Sequence, residues 1–109
     1  MIHNFDLNTQ FKIVNANPNN IKYIKNPNTD VQLDAISINP FSIEYIEHPS
    51  LYVQLEAVRL QPNVISCIQN PCEEVQLEAV KGNRSCIQFI KNPTLKVQLL
   101  ALDFHASMI

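Results

Sequence analysis

Glycine is nearly missing from this chain: Gly82 stands alone among 109 residues. Loops that cradle phosphate through closely packed glycine backbone are thereby excluded. Charge is sparse and balanced, with eight Lys+Arg against ten Asp+Glu and a net charge of −2, so no field favours non-specific nucleic-acid binding. No apolar run approaches the roughly 20 residues of a membrane span. No charged-then-apolar leader is visible at the start. Three cysteines, Cys67, Cys72 and Cys86, form no C-x-x-C pair and are too few to staple a secreted scaffold. A reducing, cytoplasmic setting is the expectation, that of the host cell if the chain is viral.

What is present is hydrophobic content, 46% of residues, which suffices for a folded core. It is distributed with a strict period. The block Val31-Gln-Leu-Asp-Ala-Ile returns as Val53-Gln-Leu-Glu-Ala-Val, Val75-Gln-Leu-Glu-Ala-Val and Val97-Gln-Leu-Leu-Ala-Leu, and in degenerate form as Thr9-Gln-Phe-Lys-Ile-Val. A second block, Ile21-Lys-Tyr-Ile, keeps the same spacing through Ile43, Ile65 and Ile87. The seven prolines punctuate the joints between blocks, at 18, 40 and 62 and at 27, 49, 71 and 93. Self-similarity at a fixed short period is the mark of a repeat array.

Each unit reads as two short helices. Asn17-Pro18 and Asn39-Pro40 place a capping side chain before a proline at the first helical position. Asn28, Ser50 and Thr94 cap the second helix, with Cys72 the weak member. Helices this short are marginal alone and need their neighbours. The expected fold is all-α: a right-handed α-solenoid of about four and a half 22-residue helix-turn-helix repeats. The units are a half repeat over 1–16, repeats over 17–38, 39–60, 61–82 and 83–104, and a tail over 105–109.

At about 100° per residue, the wheel of the second helix places Gln32 inside its apolar arc. Gln10, Gln54, Gln76 and Gln98 hold the same place. Amides buried without partners cost about 1–3 kcal/mol each, so a structural ladder is expected, each glutamine bonding loop backbone in its own or the next repeat. The first helix is expected to bury Ile21, Tyr23 and Ile24. Its outward pairs Lys22/Lys25 and Glu44/Glu47 are expected to make weak inter-repeat ion pairs.

The Asn-Pro-x-x-Ile-x-Tyr-Ile and Val-Gln-Leu-Glu-Ala-Val blocks, over about residues 17–104, resemble short helical-pair repeats of unknown function carried by phages and giant viruses. The resemblance implies a shape related to HEAT and armadillo arrays and transfers no catalytic residue. In size and simplicity, though not in motif, the chain also resembles inhibitors that phages use against bacterial defence systems, the anti-CRISPR proteins among them. The implied job is a non-enzymatic protein-binding module that occludes a host defence protein. The alternative is a structural adaptor or homo-oligomeric scaffold.

No catalytic set, metal or cofactor is expected. His3, His48 and His105 fall at different repeat positions, and no Ser/His/Asp set has useful spacing. Departures from the internal consensus supply the candidate partner-binding residues. The second full repeat has Phe41, His48 and Tyr52 where its sisters carry polar groups, with Leu51 beside them. Glu73 and Glu74 belong to an acidic stripe with Asp30, Asp34, Glu56 and Glu78, which reads by default as a solvated face and alternatively as a docking surface for a basic partner. At the C-terminal end Leu100 replaces that acid. Leu95, Leu100, Phe104 and Met108 are the expected interface of a two-fold homodimer through the last helix.

Overall fold

In the computed structural model, backbone is described for residues 5–108 and side chains for residues 5–102. Every regular element among them is helical. Five α-helices, α1 (Leu7–Ala16), α2 (Thr29–Ile38), α3 (Leu51–Leu60), α4 (Glu73–Gly82) and α5 (Leu95–Met108), alternate with four 3-10 helices. These are η1 (Pro18–Tyr23), η2 (Pro40–Tyr45), η3 (Pro62–Cys67) and η4 (Arg84–Phe89). Each α-helix packs on the next α-helix, each 3-10 helix on the next 3-10 helix, and contacts run only between sequence neighbours. The resulting body measures 58 × 21 × 17 Å.

The joints follow from capping chemistry. Asn17, Asn39 and Asn83 turn their side-chain oxygens onto the backbone N–H two residues on, and Asp6, Ser50 and Thr94 cap α1, α3 and α5 from three residues before. The N–H of Asn39, Gln61 and Asn83 closes the last turn of its α-helix, while the same residue already starts the following 3-10 helix. One residue thus ends one element and opens the next.

The first helix of each unit is a 3-10 helix, not the α-helix that a 100° wheel assumes. The difference decides which side chains go inward. Positions three apart eclipse in a 3-10 helix. Ile21 and Ile24 therefore share one buried side, and Tyr23 turns outward, 60% exposed. The same holds for Ile43 with Ile46 and Ile65 with Ile68.

The core is one line of small and branched residues. Val31, Val53, Val75 and Val97 are wholly buried, as are Ala35, Ala57 and Ala79. A buried Val or Ile contributes about 1.5–3 kcal/mol, and no single unit owns enough of them to fold alone.

The amide N–H of each of the five glutamines is satisfied by loop backbone. Each donates from Nε2 to the carbonyl five residues before it: Gln10 to Phe5 at 2.9 Å, Gln32 to Pro27 at 2.9 Å, Gln54 to Pro49 at 3.0 Å, Gln76 to Pro71 at 2.9 Å and Gln98 to Pro93 at 3.0 Å. In four of the five cases a proline leaves this carbonyl in a bend where no helix uses it. Two of the amides also reach across to the next unit: the Asn28 N–H donates to Gln10 Oε1 at 3.0 Å and the Thr94 N–H to Gln76 Oε1 at 3.4 Å.

Gln76 is only 6% exposed and Gln98 is exposed, which gives an internal control. Replacing Gln76 by Leu is expected to cost about 2–4 kcal/mol in urea unfolding, because the Pro71 carbonyl and the Thr94 N–H lose their partner together. Gln98→Leu is expected to cost less than about 1 kcal/mol, since water replaces its amide.

Candidate functional site

Three open grooves run between successive units on the side where the 3-10 helices end. The first, about 620 Å³, lies between η2 and η3 and is lined by Glu44, Glu47, His48, Pro49, Gln54 and Cys67 among others. A second of about 470 Å³ is lined by Ser66, Gln69, Asn70, Gln76, Phe89 and Lys91. A third of about 230 Å³ is lined by Lys22, Asn26, Gln32, Tyr45, Glu47 and His48. Each repeats one geometry: the end of one 3-10 helix, the end of the next, and a ladder glutamine at the floor. Asn26 and Asn70 at the bends have φ of 52° and 49°, a left-handed conformation that asparagine tolerates better than most residues. In the third groove Gln32 Oε1 is buried without a hydrogen-bond partner. It is the acceptor that Gln10 and Gln76 satisfy with the next unit's backbone.

Above the grooves stands an aromatic ridge. Tyr23, Tyr45 and Phe89 occupy the same position on η1, η2 and η4 and are all exposed, with half-buried Cys67 in the corresponding place on η3. The Lys22 ammonium lies 5.2 Å from the centroids of both the Tyr23 and Tyr45 rings. Both rings thus share one cation, a contact worth about 0.5–1 kcal/mol at an exposed site. Lys22 makes this contact instead of the inter-repeat ion pair expected with Glu44 or Glu47. Arg59 instead pairs with Glu56 within α3, which raises the Arg59 pKa. The ridge escapes an α-helical wheel, which turns Tyr23 inward. The signal for it was the Ile-x-x-Ile spacing after Pro18, a period of three.

The residues singled out from the sequence do not form one patch. Phe41 opens η2 and lies on the edge where the α-helices end. Leu51 and Tyr52 open α3 on the opposite edge, next to His48, and Tyr52 is 58% exposed. Only His48 of this group lines a groove. The acidic stripe also divides. Glu73 and Glu74 are exposed in the first turn of α4, where the helix dipole favours them. Asp34, Glu56 and Glu78 are half-buried between neighbouring α-helices, and the Asn15 amide donates to Asp34 Oδ2 at 3.0 Å. Of these three, Asp34 ties α2 to α1, while Glu56 pairs with Arg59 inside its own helix.

The C-terminal helix departs from expectation in the same way. Leu95 is exposed, but Leu100 packs against the core. The outward apolar residues are Leu99 and Leu102. The side chains of Phe104 and Met108 lie outside the described residues, as do His3 and His105. Packing beside α4 turns Leu100 inward, because the place it takes from the acids is itself half-buried.

Cys86 is buried next to Asn63, and burial raises its thiol pKa. Cys72 is exposed at the start of α4, where it gives no side-chain capping bond. Among the described residues, no group of three His, Cys, Asp or Glu is placed to hold a metal ion. No described helix is long and apolar enough to cross a membrane. No protein-family model, curated protein or solved structure matches the chain.

Alkylation checks the cysteine environments. Iodoacetamide at pH 8 is expected to modify Cys72 in the folded protein and Cys86 only when urea unfolds it, by peptide mass mapping. Equal rates at the two sites would show that the interior is open.

Proposed function

We propose that the chain is an α-solenoid whose stacked units serve as a non-enzymatic binding surface for another protein. The observation that carries this reading is the aromatic ridge. Tyr23, Tyr45 and Phe89 are exposed at one repeat position, and two of them share the Lys22 ammonium. Rigid aromatic groups with a polar tip are the side chains that anchor protein interfaces at low entropic cost. The grooves beneath are shallow, open and lined by amides, so they suit a contacting surface better than a reacting substrate. Tyr52 and Leu51 extend apolar surface along the neighbouring edge. Occlusion of a partner surface needs nothing further, and the phage-inhibitor resemblance suggests a host defence protein as that partner.

The scaffold reading draws on a different feature, the exposed Leu99 and Leu102 of α5.

Capture from lysate of the native host, with this protein immobilised, tests the reading. One dominant stoichiometric partner is expected. Replacing Tyr23 and Tyr45 together by Ala is expected to weaken that capture at least about tenfold, since aromatic anchors carry about 2 kcal/mol or more each. The far-UV circular dichroism is expected to stay unchanged. Undiminished capture by the double variant removes the ridge as the contact.

A further inference from the structure

The internal packing of this chain is a template for judging its two ends. In every inner unit the leucine of the Val-Gln-Leu block packs against the core: Leu33, Leu55 and Leu77. The counterpart on α5, Leu99, is 59% exposed. Five places after the block's valine the contrast repeats: Ile36, Val58 and Val80 are buried, whereas their counterpart Leu102 is 58% exposed. Gln98 completes the set. Its Nε2 donates to Pro93 and its Oε1 has no partner among the described residues; of the inner glutamines, Gln10 and Gln76 accept there from the backbone of the following unit, and Gln32 and Gln54 do not. Among the described residues the outer side of α5 therefore lacks apolar cover, and Gln98 lacks the backbone N–H that Gln10 and Gln76 find.

The opposite end of the same molecule presents both. The counterpart of Asn28 and Thr94 is Asp6, and its N–H has no partner among the described residues. Thr9 and Ile13 hold the positions of Val31 and Ala35, which are wholly buried in the inner unit, yet both are half-exposed. These are the positions that a preceding unit covers.

We propose that the outer side of α5 is covered by the α1 end of a second copy, joined head to tail in continuation of the packing between units. The contact pairs Leu99 and Leu102 with Thr9 and Ile13 of the second copy, and Gln98 Oε1 accepts from the Asp6 N–H. A two-fold pairing of α5 with α5 buries the leucines and leaves the Gln98 acceptor facing another glutamine with no loop N–H at hand. Head-to-tail contact uses different surfaces on the two copies, so it does not close and assembly proceeds beyond a pair. The inference rests on the stacked-unit architecture but not on the aromatic ridge, which lies on the 3-10 helices and is left free.

Light scattering over a concentration series, with two single-end variants, tests it. Leu99→Glu blocks the α5 end at an exposed position. Thr9→Glu blocks the α1 end and places an acid three residues after the Asp6 cap, where a helix N-terminus accepts one. The unaltered chain is expected to rise in mass with concentration past that of two copies. Each variant alone is expected to stay monomeric with unchanged far-UV circular dichroism, and an equimolar mixture to form a one-to-one pair and nothing larger. A monomeric unaltered chain at every concentration overturns the proposal, and so does assembly by Thr9→Glu alone, which is the two-fold result. Capture by the monomeric variants measures the binding reading separately.

Discussion

One hydrogen bond organises this protein: the amide of a glutamine in the first turn of each α-helix, closed onto the carbonyl that precedes the helix. Each unit must reverse direction between a 3-10 helix and an α-helix within a few residues, and proline makes the bend while stranding a carbonyl. A carboxylate, which only accepts, cannot do what the amide does. The site needs a donor for its own loop and an acceptor for the next unit's N–H, and a primary amide carries both on one planar group. Inside the array that double use links one unit to the next, as Gln10 does with Asn28 and Gln76 with Thr94. Gln32 and Gln54 make no such cross-unit bond among the described residues, and the Gln32 acceptor is buried and unpaired in the groove that His48 also lines.

The second constraint is the choice of a 3-10 helix for the short element. Six residues, opened by proline in three of the four cases, gain little from α-helical hydrogen bonding, and the tighter winding lines up the isoleucine of each with the one that caps it. Two isoleucines are driven inward together and the aromatic between them is driven out. The surface feature that best supports a binding role is thus a by-product of how the interior is filled. The charged positions beside it respond to the same geometry, with Lys22 lying over two rings.

Charge and apolarity in the α-helices serve cohesion more than display. The half-buried acids Asp34, Glu56 and Glu78 sit where one helix meets the next, and Leu100 takes the same kind of place on α5. Sparse charge is affordable in a body 21 × 17 Å in cross-section because most side chains touch a neighbouring unit.

The sequence by itself determined the helical class, the joints and the inward line of valines. Those depend on local chemistry, capping, proline and the spacing of apolar residues, which a repeat displays several times over. It also marked the glutamines, because polar groups in an apolar arc demand partners. What only the tertiary structure decided was direction. Whether Tyr23 points in or out turns on a difference of about 20° per residue between two kinds of helix, which a wheel must assume. Whether Leu100 or Leu99 is the uncovered leucine depends on how α5 seats on α4. Which acids meet solvent depends on the neighbour's position, and no residue carries that in its own identity.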